Sequence, residues 1–114
     1  MAQGRSDLQS VTSISGNNDQ DVRFAGRIPG GAKSGLGCLT ITNPAGAGSL
    51  SILTSPDLNL DPTLWKSIGS FTSLTANGFQ TLNLTAMCDY IRWSVSGMTG
   101  GPLRFSLVVY SFDA

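Results

Sequence analysis

Asp57, Asn59 and Asp61 stand on alternate residues within SPDLNLDPTLW, the stretch from Ser55 to Trp65. Three chemistries use acidic residues this closely spaced. A calcium-binding EF-hand loop opens D-x-[DN]-x-[DN], but it also needs Gly at its sixth position and a bidentate Glu at its twelfth. Counted from Asp57 those positions hold Pro62 and Ile68, so Asp57, Asn59 and Asp61 are weak metal candidates and no metal is expected. Glycoside hydrolysis needs two carboxylates facing each other across a sugar, which one short loop does not provide. A pair of turns explains more of the residues. Pro56 and Pro62 preset φ for turning, and Asp and Asn side chains close local hydrogen bonds to backbone. On this reading Leu58 and Leu60 fold back over a sheet end, and Trp65 opens the next strand as a structural anchor.

The remaining inventory contains little that could catalyse. The chain has no His, hence no ordinary acid–base group near neutral pH, and it shows no nucleophile elbow. GRIPGGAKSG (26–35) differs from a phosphate loop because Ala32 separates Lys33 from the preceding Gly, so a surface loop is expected. Cys38 and Cys88 lie in or beside apolar runs without CxxC spacing; reduced packing thiols are expected, with an inter-strand disulfide the alternative. No enzyme activity and no cofactor are expected. Arg23, Arg27, Arg92 and Arg104 fall on the nominally polar sides of their strands. They are either solvated or locally paired, or they meet carboxylates of a partner, where Arg provides bidentate geometry.

These groups must be positioned by strands. Val22, Phe24, Gly26 and Ile28 alternate with Arg23, Ala25 and Arg27, and Ile91, Trp93 and Val95 alternate with Tyr90, Arg92 and Ser94. That period of two marks strands with one buried face. Further strands are predicted over 8–14, 36–42, 49–55, 65–71, 79–84 and 103–112. PGG, NPAGAG, SPDLNLDP, TANG and SGMTGGP supply the turns between them, and no window carries a helical repeat. The expected fold is all-β: a single-domain, two-sheet β-sandwich of about eight strands, with a jelly roll the favoured topology. Trp93 and Phe105 share strand faces with buried aliphatics and are expected as further anchors. Residues 1–21 read as a polar N-terminal arm or an edge strand, and 22–114 as the sandwich domain.

At 114 residues the chain makes one core. Only 12% of it is charged, seven basic residues against seven acidic, which argues against a general field for nucleic acid or anionic membrane. Sparse charge also suggests that part of the surface is covered by a partner. The N-terminus lacks the pattern of a signal peptide, so synthesis in the cytosol is expected.

The run SLSILTSPDLNLDPTLWKSIGSFTSL, followed by GFQTLNL, DYIRWSVSG and GPLRFSLVVY, resembles small β-sandwich structural proteins of tailed bacteriophages, above all capsid decoration (cement) proteins. The resemblance spans roughly residues 49–112. It implies a non-enzymatic virion protein on the outer capsid surface, in contact with the major capsid protein. A short chain on an icosahedral shell gains attachment by forming a closed ring, and a trimer is slightly favoured over a dimer. The alternatives are a tail or fibre component and a carbohydrate-binding sandwich. The last requires exposed aromatic rings in one plane or groove, and Trp65, Phe79, Tyr90 and Tyr110 are the candidates.

Overall fold

The computed structural model describes residues 3–16, 18–21, 23, 25–28, 34–44, 46–72, 74–100 and 102–112, with backbone alone for 3–11 and 62. Nine strands follow one another: β1 (Gln3–Ile14), β2 (Asn18–Asp19), β3 (Gly26–Arg27), β4 (Ser34–Asn43), β5 (Ser49–Ser55), β6 (Lys66–Phe71), β7 (Gly78–Leu84), β8 (Tyr90–Ser96) and β9 (Leu103–Phe112). A 3-10 turn, Pro62–Leu64, precedes β6.

The strands form two antiparallel sheets. One runs β1-β9-β4-β7; the other runs β2-β8-β5-β6, with β3 also paired to β8. Since β2 and β3 share the edge of β8, they act as one interrupted strand. Counted that way, the orders become 1-8-3-6 and 2-7-4-5, the strand arrangement of a jelly roll, the topology favoured from the sequence, although the order of strands did not follow from it.

Alternation fills the space between the sheets. Leu39 and Ile41 of β4, Leu103, Phe105, Leu107 and Val109 of β9, Leu50 and Ile52 of β5, and Ile91, Trp93 and Val95 of β8 are all buried. Trp93 of one sheet meets Phe105 of the other edge to face, with centroids 5.1 Å apart at 89°, a favoured aromatic geometry. At two glycines facing the other sheet, a side chain would force a neighbour to move. A Cβ on Gly37 would stand 3.1 Å from Ile52, and one on Gly69 would stand 2.8 Å from Leu82.

Two expectations from the sequence are corrected. The strand expected over 22–28 is confined to Gly26–Arg27. The Asp21 carboxylate accepts a hydrogen bond from the Arg23 backbone N–H at 2.9 Å, a local turn that competes with a ladder; residues 22 and 24 lie outside the described residues. Leu58 and Leu60 do not cover the sheet end: both are exposed, Leu60 at 75%. The turn that holds them is braced on its other side.

Candidate functional site

The two sheets present different outer faces. In the β1-β9-β4-β7 sheet the outward positions of β4 are Leu36, Cys38 and Thr40, because Leu39 and Ile41 point to the core. Register carries that face across the sheet. Leu36 pairs with Asn83 of β7 and Tyr110 of β9, Cys38 with Thr81 and Val108, and Thr40 with Phe79 and Ser106. Phe79 is 64% exposed and Tyr110 37%, so two large aromatic side chains stand on one face. Between and around them lie hydroxyls and an amide from Thr40, Thr81, Ser106 and Asn83. At a strand spacing of roughly 4.8 Å and a rise of roughly 3.4 Å per residue, the Cα atoms of Phe79 and Tyr110 are about 17 Å apart. The central strands of this face pair on both sides, β4 with β7 and β9, and Phe79 stands on the edge strand β7.

The other outer face is partly covered. Trp65 is only 7% exposed, and its indole N–H donates to the Asn59 carbonyl at 2.9 Å. The ring lies over the Arg92 guanidinium, whose carbon is 5.1 Å from the ring centroid, a cation–π contact. Arg92 is 3% exposed and donates from Nη1 to the Gln20 carbonyl at 3.0 Å. Its Nε finds no partner. Arg92 is thus corrected from a polar-face arginine open to a partner to a buried one. Alternation places it on the outside of its sheet, but the loop before β6 and the segment before β3 close over it.

The remaining predicted site residues divide by role. Arg23 pairs with Asp21 at 2.8 Å on the surface. The bond from its guanidinium, followed by that from its backbone N–H, lowers the Asp21 pKa to about 2. Arg27 is exposed on β3, and Arg104 is exposed on the outer face of β9. These arginines are scattered and do not form one cluster.

Asp57, Asn59 and Asp61 serve the turn. The Ser55 hydroxyl accepts from the Asp57 backbone N–H at 3.3 Å and from the Asn59 amide at 3.2 Å. Asp61 accepts from the Thr63 hydroxyl at 2.7 Å and its backbone N–H at 2.9 Å, bonds that lower its pKa, the hydroxyl most. Among the described residues no group of three metal-ligating side chains comes together. Cys38 and Cys88 form no disulfide, as expected of reduced packing thiols.

Of the four aromatic candidates for a binding plane, Trp65 is buried and Tyr90 half-buried, which leaves Phe79 and Tyr110. Sequence reasoning missed the groove beside Arg104. It is lined by Ser13, Thr42, Asn43, Pro102 and Arg104, and its only sequence signal is the NP turn that ends β4.

No protein-family model matches this chain, and no curated protein matches it in sequence. Solved structures with a similar course include a family 29 carbohydrate binding module from Piromyces equi, at 11% identity and a TM-score of 0.48, covering 100% of this chain and 94% of that one. A second, BiXyn10A CBM1 in its apo form, is 12% identical with a TM-score of 0.45, covering 96% and 97%. Both likenesses are distant, and neither bears on what this chain binds.

Proposed function

We propose that this chain is a non-catalytic binding module whose ligand is carbohydrate, held on the outer face of the β1-β9-β4-β7 sheet. The observation that carries the reading is the placement of exposed Phe79 and Tyr110 on one flat face. Sugar rings have apolar faces that stack on aromatic rings and hydroxyl rims that bond to neighbouring polar groups. A pocket that binds by burial combines apolar surface with a few fixed polar groups in this way. Thr40, Thr81, Asn83 and Ser106 supply those groups around the two aromatics. The test is a screen on immobilised polysaccharides followed by calorimetric titration of any that retain the protein. Phe79→Ala is expected to weaken binding at least about tenfold, the worth of one buried ring. Failure of every polysaccharide to retain the protein would sink the reading.

A second reading, a decoration protein on the outside of a bacteriophage capsid, is favoured by a different observation. Leu58, Leu60 and Leu64 project from the braced turn, and exposed apolar clusters of this kind serve protein interfaces. The phage-like run of residues 49–112 includes that turn. Contact with the major capsid protein through these leucines, in a trimer or dimer, would bind shells in the absence of sugar. Occupancy on stripped shells, measured for the native chain and for Leu60→Asp, tests it: the native chain binds and the variant does not. Equal occupancy of the two would reject a leucine-mediated contact.

A further inference from the structure

We infer that the sheet-face site, if it binds carbohydrate as proposed, is built for an acidic saccharide, one bearing a carboxylate, and that Arg104 is the residue that recognises the charge. The inference begins with an irregularity in β4. Ile41 pairs with Phe105, but the next pair is Asn43 with Arg104, so Thr42 and Asn43 together face a single residue of β9. Such a bulge bends its strand and re-aims side chains. Beside it runs an open groove of about 530 Å³ lined by Ser13, Thr42, Asn43, Pro102 and Arg104, at one end of the outer face described above. The size is that of a small-ligand pocket.

The lining has one sign. It contains one cation and three neutral polar side chains, and no carboxylate. The backbone around Arg104 is engaged by its neighbours: the Thr42 hydroxyl donates to the Arg104 carbonyl at 3.3 Å, and the Asn43 amide donates to the Pro102 carbonyl. These bonds hold the rim in place while no carboxylate among the described residues pairs with the Arg104 guanidinium. Arg23, in contrast, has Asp21, and Arg92 lies beneath Trp65. Arg104 is thus an exposed planar donor at an open groove of mixed polar and apolar lining. A carboxylate is the group that matches a guanidinium with two parallel hydrogen bonds.

The aromatic platform begins nearby. Phe79 pairs with Thr40, which pairs with Ser106, two residues along β9 from Arg104. Two strand spacings across and two residues along put the Cα atoms of Phe79 and Arg104 about 12 Å apart. An oligosaccharide can therefore stack one ring on Phe79 while a neighbouring acidic sugar places its carboxylate on Arg104. Asn43 and Ser13 offer polar groups to its ring hydroxyls. Neutral saccharides would engage the platform alone.

The test compares oligogalacturonate with its fully methyl-esterified form, which keeps the rings and loses the charge, by calorimetric titration of the native chain and of Arg104→Gln. Arg104 is exposed, so the variant is expected to melt like the native chain. The acid should bind at least about tenfold more tightly than the ester, the worth of a charge-assisted pair. Arg104→Gln should remove that preference, bringing the acid's affinity down to that of the ester, and the acid's advantage should shrink with added salt. Equal affinity for acid and ester, or an acid preference that survives in Arg104→Gln, would overturn the inference while leaving carbohydrate binding intact. Full displacement of the acid by an Asp-rich peptide of equal charge would also overturn it, and would reassign Arg104 to a protein carboxylate. If neither probe binds, the inference fails, and the polysaccharide screen alone then decides whether the platform binds sugar.

Discussion

Arg92 and Arg104 occupy equivalent places in the alternation of their strands, each on the outside of a sheet, yet one is buried and the other open. The difference lies in what crosses each face. Over the β2-β8-β5-β6 sheet, the turn before β6 lays Trp65 across Arg92, and Gln20 closes the other side. Beyond this cover the same face continues as hydroxyls, among them Ser51 and Ser70, which bond to each other at 2.9 Å. No described segment crosses the outer face of the β1-β9-β4-β7 sheet at Phe79, and the ring stays exposed. One sheet thus uses its outer surface to hold a loop, and the other keeps an aromatic and polar surface available. A sandwich can carry stability on one outer face and recognition on the other.

The sharpest way to break this contrast is Trp65→Ala. If the ring is the lid of its face, the variant should lose about 3–5 kcal/mol in chemical denaturation, as buried Trp and Phe truncations do. A loss below about 1 kcal/mol would mean that the cover is cosmetic. Arg92 should respond next. Arg92→Ala is expected to cost about 2 kcal/mol, because it strips packing from Trp65 and leaves the Gln20 carbonyl without its donor. Arg92→Met keeps the stem and removes a buried guanidinium whose Nε has no hydrogen-bond partner among the described residues, so it should fall within about 1 kcal/mol of the native chain. If the two variants lose the same amount, the guanidinium itself matters more than its packing.

Substitutions on the open side should do far less to the fold. Phe79→Ala and Leu60→Ser are expected within about 0.5 kcal/mol of native stability, as exposed positions usually are. A loss of several kcal/mol at Phe79 would make the platform part of the core and remove the contrast. The smallest effect belongs to the surface pair of Arg23 and Asp21. The Asp21 pKa is lowered from 3.8 to about 2, so its contribution is present above the unfolded value and is lost as pH falls from there through the folded one. Its carboxyl resonance should titrate near pH 2 and return toward the ordinary range in Arg23→Gln. Solvent screening keeps the effect on melting small.

The SPDLNLDP stretch marks how far local reasoning extends. Its turn character was readable because Pro and Asp act on their own backbone neighbours, and the structure contains those bonds at Ser55 and Asp61. The direction of its leucines was not readable. Which side of a turn faces the sheet is set by the residue that anchors it, and Trp65 takes the inner side, leaving Leu58 and Leu60 outside. Of the strand expected over 22–28, the described residues form only Gly26–Arg27: alternation was present, but Asp21 accepts a two-residue bond from the Arg23 backbone that competes with a ladder.

The amino-acid order by itself determined the all-β sandwich, the places of most strands and their turns, and the inward set that includes Trp93 and Phe105. Each depends on spacing within a few residues, where backbone geometry alone fixes which way a side chain points. Tertiary structure decided the rest: the jelly-roll strand order, the burial of Arg92, the gathering of Phe79 and Tyr110 on one face, and the recess beside Arg104. Those features come from segments far apart in the chain. Residues 20, 65 and 92 meet at one site, and 13, 43 and 104 at another. Local pattern states which side of a strand a residue occupies, and only the packing of distant segments states whether anything covers that side.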